Sequence, residues 1–208
     1  MIITTMPVGS FNTNCYILYH DDTKRGIIID PGGDADLVLA RVKAYDLKIH
    51  AILLTHGHFD HIAAANEVAT QLDVKIYASK QDAALAADPQ LNGSRLLMHK
   101  DVICNVDKFL DDREYADFGW IKLRALLTPG HTAGHICYYA KQLNLLFSGD
   151  LLFKGSYGRY DLPTSNFDDL KNSLQRLFAL PPETEVYPGH GNPTAIGYEK
   201  EYNPINRG

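Results

Sequence analysis

Cysteine is scarce in this sequence, and the three present, Cys15, Cys104 and Cys137, are an odd number with no paired spacing. That argues against a disulfide scaffold and reads as reduced, buried thiols packed as small core hydrophobes in a cytosolic protein. Positive charge is not in excess either. Twenty Lys and Arg face 25 Asp and Glu, for a formal charge of −5, which argues against a nucleic-acid surface built on a basic patch. No window approaches the roughly 18 apolar residues of a membrane span. The opening stretch MIITTMPVGSFNTNCY has no basic segment, apolar core or small-residue cleavage site of a signal peptide. The expectation is a cytoplasmic enzyme with neither a membrane nor a nucleic acid as partner. No low-complexity stretch or long linker interrupts the chain, so 1–208 is expected to be one domain.

What is present is an ordinary globular composition, 45% hydrophobic and 22% charged over 208 residues. A chain of that length buries a core without help from disulfides or a structural metal, so a cluster of metal-ligand residues is read first as chemistry. Residues 2–8, 13–19 and 25–30 read as strands, the last two joined by the polar turn His20-Asp21-Asp22-Thr23. Asp30-Pro31-Gly32-Gly33 ends the third strand, and a helix is expected from about Asp34 to Tyr45. A short strand from Ala51 to Leu54 precedes a helix with Ile62, Ala65, Ala69 and Leu72 on one face. Strand 75–78 and helix 80–87 follow, while 89–117 carries no clear period. Strand 120–127, a hairpin of 135–140 with 143–148, helix 167–178 and a strand at 185–188 complete the reading. Helix 167–178 is marked by Phe167, Leu170, Leu174, Leu177 and Phe178, with Asp168 and Asp169 in its first turn.

The runs IIID, ILLTH, LLTPGH, LLFSGD and VYPGH each place a ligand-type residue directly after a buried apolar strand. Strand ends along one sheet edge are where open α/β folds gather their sites. Two halves that each give strands and then helices suggest two sheets face to face with helices outside. Within that pattern, His56-Gly57-His58-Phe59-Asp60-His61 packs three imidazoles and a carboxylate into six residues. Packing alone hardly explains such density, because even one histidine after a buried strand is uncommon. Imidazole with carboxylate suits zinc, iron or manganese, and the absence of a nearby thiolate argues against a structural Cys-rich zinc site. His131, Asp150 and His190 recur in the Gly-containing turns PGH, SGD and PGH. Seven ligands exceed what one zinc takes and fit two with one carboxylate shared. Asp30 either orients a ligand imidazole or is a turn aspartate. His135, four after His131, is not on a helix beside Pro129, Gly130 and Gly134, and it reads as supporting a ligand or as structural.

The string H-x-H-x-D-H followed by separate His, Asp and His resembles the metallo-β-lactamase superfamily. The segments FNTNCYIL, IIIDPGGD, ILLTHGHFDHI, LLTPGHTAGHICYY, LLFSGDLLFKGSYGRYDL and VYPGHGNPTAIGYEKEYNP are most similar to its short bacterial glyoxalase II-like hydrolases. The resemblance implies a four-layer αββα sandwich and two divalent metal ions, zinc first, with iron or manganese as options. His56, His58 and His131 would hold one metal, Asp60, His61 and His190 the other, and Asp150 would bridge them, with Asp60 and Asp150 counted as catalytic. It implies a small-molecule thioester as substrate, such as S-D-lactoylglutathione. Exported zinc β-lactamases, many with Cys where this chain has Asp150, are set aside, as are the nuclease and flavodiiron members. The chain departs from full-length glyoxalase II. Only 18 residues follow His190, with Lys200 and Arg207 as their cations, and Gly158-Arg159-Tyr160-Asp161 stands where the family has a Lys-containing segment. Arg159 either binds a substrate carboxylate or pairs with Asp161. A mononuclear iron persulfide dioxygenase, which shares the H-x-H-x-D-H string and a G-R-x-D segment, is the alternative activity.

Overall fold

The computed structural model describes residues 1–207, apart from the Arg207 side chain, as two compact units, Met1–Phe109 and Leu110 onward. In the first unit, strands β1 (Ile2–Val8), β2 (Thr13–Tyr19), β3 (Arg25–Ile29), β4 (Lys48–Leu53), β5 (Lys75–Ala78) and β6 (Lys108–Phe109) form one sheet in that order. The first three pair antiparallel, and β3 to β6 run parallel. Helices α1 (Ala35–Ala44), α2 (Phe59–Ile62), α3 (Ala65–Leu72), α4 (Lys80–Ala86) and α5 (Ser94–Leu97) lie between the strands. Parallel neighbours need such crossovers.

The register explains why these strands pair as they do. Ile17 faces Ile28, Ile28 faces Ile52, and Ile52 faces Ile76. One buried row of isoleucines thus crosses four strands, and α1 (Val38, Val42) and α3 (Ala65, Val68, Ala69) pack on the same core. Each such side chain removed from water contributes about 1.5–3 kcal/mol. A one-residue slip would turn the whole row to the other face.

In the second unit β7 (Tyr115–Asp117), β8 (Lys122–Leu127), β9 (Ile136–Ala140), β10 (Leu145–Gly149), β13 (Glu185–Pro188) and β14 (Thr194–Ala195) form a sheet of order β14-β13-β10-β9-β8-β7. A separate hairpin, β11 (Leu152–Phe153) with β12 (Ser156–Tyr157), follows β10. Helix α6 (Phe167–Leu177) lays Leu170, Leu174 and Leu177 on Leu126, Cys137, Leu146 and Val186. Its N-cap Asn166 accepts from the Asp169 amide at 3.0 Å. Helix α7 (Ile196–Tyr202) and a 3-10 turn at 204–207 close the described chain.

Most expected elements are found within a residue or two, and three differences have physical causes. The helix expected through Ile62 and Leu72 is broken into α2 and α3. The Ala64 amide donates to Pro31 O (3.0 Å) instead of back along the helix, and a Cβ on Gly32 would lie 1.6 Å from Asp60 O. The Pro31-Gly32 turn therefore wedges against the helix start, and only glycine permits the approach. β4 begins at Lys48 rather than Ala51, because pairing with Arg25 and Gly26 extends it past its apolar stretch. The unassigned segment 89–117 contains only α5, β6 and β7, held by side chains such as Asn92, whose amide reaches Val102 O at 2.8 Å.

Candidate metal centre

Topology gathers the ligand-type residues. β3 and β4 are parallel, so Asp30 and Thr55-His56 leave the same edge of the first sheet side by side. In the second sheet β10 and β13 are parallel, while β8 and β10 are each antiparallel to β9. His131 after β8, Asp150 after β10 and His190 after β13 therefore emerge at one edge of that sheet.

In the first unit His56 and His61 are fully buried and His58 nearly so. The rings of His56 and His58 meet edge to face at 4.8 Å, and those of His56 and His61 lie 4.1 Å apart. One oxygen of Asp30 and one nitrogen each of His56 and His61 fall within 4.8 Å of one another. This trio is a hydrogen-bonded bracket rather than a metal cage. Asp30 accepts from the Thr55 amide (2.7 Å) and Thr55 Oγ1 (2.6 Å), and it meets His61 Nδ1 at 2.9 Å.

The partners fix the tautomers. A carboxylate only accepts, so His61 Nδ1 carries the proton. Thr55 gives its single hydroxyl proton to Asp30, so the 3.1 Å contact between its oxygen and His56 Nδ1 makes that nitrogen the donor. With the proton on Nδ1, Nε2 of both rings is unprotonated. Asp60 Oδ2 stands 3.8 Å from His61 Nε2 and accepts from Thr13 Oγ1 at 3.2 Å. The Gly57 amide, between the first two histidines, donates to buried Asp82 at 2.9 Å.

In the second unit His131 Nδ1 lies 2.9 Å from Arg159 O, and a carbonyl only accepts, so Nε2 of His131 is unprotonated as well. Asp150 Oδ2 is 3.8 Å from His131 Nε2 and 3.5 Å from His190 Nε2. These separations, like the 3.8 Å in the first unit, exceed a good N–H···O hydrogen bond of roughly 2.7–3.2 Å. Two ligands at about 2.1 Å on one tetrahedral ion are about 3.4 Å apart. Imidazole nitrogens facing carboxylate oxygens at that spacing fit a divalent metal, and the residues present suit the ion the donor chemistry calls for.

The Gly158 position ties this half together, since a Cβ there would sit 1.9 Å from Asp150 O. His135 is fully buried behind His131, its Nδ1 3.0 Å from Thr128 Oγ1 and its ring 6.3 Å from that of His131. The Arg159 guanidinium makes a bidentate pair with Asp161 at 2.8 and 2.9 Å, both largely exposed. That hydrogen bond holds the Asp161 carboxyl below the usual carboxylate range. Thr55, Asp82 and Thr13 were not singled out by sequence. The contacts that bring them to the site, Thr55 with Asp30, Asp82 with Gly57 and Thr13 with Asp60, each span 25 or more residues.

The metallo-beta-lactamase superfamily model matches residues 8–190. The hydroxyacylglutathione hydrolase GloC of Haemophilus influenzae is 36% identical over 213 residues, covering 99% of this chain and 98% of GloC. The crystal structure of BLEG-1, described as a B3 metallo-beta-lactamase, superposes with a TM-score of 0.95 at 37% identity and covers 100% of both chains. That of TTHA1623 in a di-iron-bound form gives 0.84 at 36% identity, over 99% of this chain and 100% of that one.

Proposed function

The chain belongs to the metallo-β-lactamase superfamily and has its α/β fold, and from that premise we propose that this metal-dependent hydrolase uses two metal ions to cleave small acyl thioesters. The observation that carries the two-metal reading is Asp150 Oδ2, one carboxylate oxygen facing Nε2 of two different histidines, His131 and His190. In this reading His56, His58 and His131 hold one ion, Asp60, His61 and His190 the other, and Asp150 is shared. Zinc is the first choice by donor type, and iron is supported by the di-iron form of TTHA1623. When bound, the metal pair supplies an acidified water, its pKa lowered to about 7, and a Lewis acid for the carbonyl.

The protein's own residues do the rest. Asp30 and Thr55 hold His61 and His56 in the ligating tautomer, and the Arg159 carbonyl does the same for His131. The Arg159 side chain, once Asp161 gives way, is a bidentate partner for a substrate carboxylate. The match to GloC along nearly the whole chain supports a glutathione thioester as substrate. This reading assigns the substrate one cationic contact, Arg159, so other small acyl thioesters are expected to react too.

The likeness to BLEG-1 favours one second reading, β-lactam ring opening by the same metal pair. The test is kcat/KM of the zinc-loaded protein on S-D-lactoylglutathione and on a penicillin. Turnover of the thioester at least a hundredfold above the penicillin is expected; the reverse order would overturn the thioester assignment and leave the metal-dependent hydrolase intact.

A further inference from the structure

Glu199 lies on the short helix α7, outside the ligand set, yet it is fully buried. Its carboxylate accepts from the Gly155 amide with both oxygens at 3.0 Å, from Thr194 Oγ1 at 2.6 Å and from Asn203 Nδ2 at 2.7 Å. Asn203 Nδ2 also donates to Ser156 O at 2.9 Å. Gly155 and Ser156 are at the tip of the β11–β12 hairpin, where Gly155 takes a φ of 69°. A buried carboxylate is costly unless each oxygen is well bonded, so this one is held where it does something specific.

The hairpin it grips is linked to each proposed ligand of the second unit. Its first strand begins two residues after Asp150. Phe153 packs its ring 6.4 Å from that of His190. Its second strand leads into Gly158, seated against the Asp150 carbonyl, and Arg159, whose carbonyl holds His131 Nδ1. Thr194, also bound to Glu199, lies four residues beyond His190.

We infer that Glu199 is a positioning residue: through the β11–β12 hairpin, α7 sets the placement of His131, Asp150 and His190 for metal binding. The inference rests on the metal ligands of the proposed function, and it is independent of which substrate they serve. Without the carboxylate, the Gly155 amide and Asn203 lose their shared acceptor, the hairpin tip loosens, and the error passes to three ligands at once.

The test is zinc affinity, measured on the full-length chain by competition with a chromophoric chelator. Glu199→Ala should weaken binding about tenfold to a hundredfold, the range typical of partners that orient metal ligands. Glu199→Gln keeps an acceptor for the Gly155 amide and should recover to within about threefold of the parent. Leu177→Ala serves as control, because it removes a buried side chain of the same core from α6, which supplies no partner to the hairpin grip. It should lower Tm and leave zinc affinity unchanged. Parent-like affinity in Glu199→Ala, or equal losses in Glu199→Ala and Leu177→Ala, would overturn the inference. Should Glu199→Ala not fold, Thr194→Val removes one of the hydrogen bonds; a severalfold loss supports the inference and unchanged affinity refutes it. Loss of thioester turnover in the parent alone would count against the substrate assignment and not against this role.

Discussion

The two halves of the molecule hold their proposed metal ligands by different means. In the first, four donors come from one six-residue segment, and a side-chain carboxylate, Asp30, braces the imidazoles through Thr55 and His61. In the second, the donors come from three separate strand ends, and the brace on His131 is a backbone carbonyl. Exposure sets one residue of the second half apart: the His190 side chain is 30% exposed, against 3% for His131 and 0% for His61. A local motif buried around its own brace is rigid by itself, whereas dispersed donors depend on whatever holds their loops. Side-chain substitution can therefore unlock the first half directly, while the second is reached through the ligands themselves or through the hairpin.

The largest effect is expected at the residue proposed to be shared. Asp150→Ala should lower kcat by three orders of magnitude or more, equivalent to about 4 kcal/mol, and reduce bound metal at both positions by elemental analysis. Two metals and parent activity in that variant would break the assignment. Next comes Asp30→Asn. Its amide group would face one of the three donors that the carboxylate now accepts, so zinc affinity should fall about tenfold to a hundredfold, read by chelator competition. An unchanged affinity would show that the brace on the first half is dispensable.

Arg159→Ala sharpens the comparison from the other side. The carbonyl that braces His131 survives the substitution, so metal content should be unchanged while KM for a glutathione thioester rises about tenfold, with little change for a thioester lacking the carboxylate. Equal losses on both substrates would make the arginine structural. The smallest effect concerns the thiols, one or more of which lies buried in each half. Burial pushes Cys104 and Cys137 up to about 12 and raises Cys15 further still. Thiolate is the reactive form, so at pH 8 none should label with a thiol reagent until the protein is denatured. Rapid labelling of Cys137 with Cys15 protected would mean that the second half opens far more readily than the first.

Much of this was legible in the sequence. Apolar runs ending in His or Asp marked the sheet edges, and the α/β metallo-β-lactamase fold that the H-x-H-x-D-H resemblance implied is the one found. The helix pattern of α6 was written in Leu170, Leu174 and Leu177 with acidic residues at its start. What escaped was whatever depends on distant partners. The wedge of Gly32 against Asp60 O breaks a helix that periodicity alone carries through. Glu199 was not singled out at all, since its place depends on Gly155, 44 residues earlier, being folded against it. Asp30 was readable as a turn aspartate or as a brace, and only the 2.9 Å contact with His61 distinguishes the two.

The central claim is that two metals act together, and it is tested most directly by adding zinc to metal-free protein while following hydrolysis of S-D-lactoylglutathione. The account predicts that activity keeps rising until two equivalents per chain are bound, with no oxygen consumed. Full activity at one equivalent, or turnover only with a single iron and with oxygen uptake on glutathione persulfide, would contradict it.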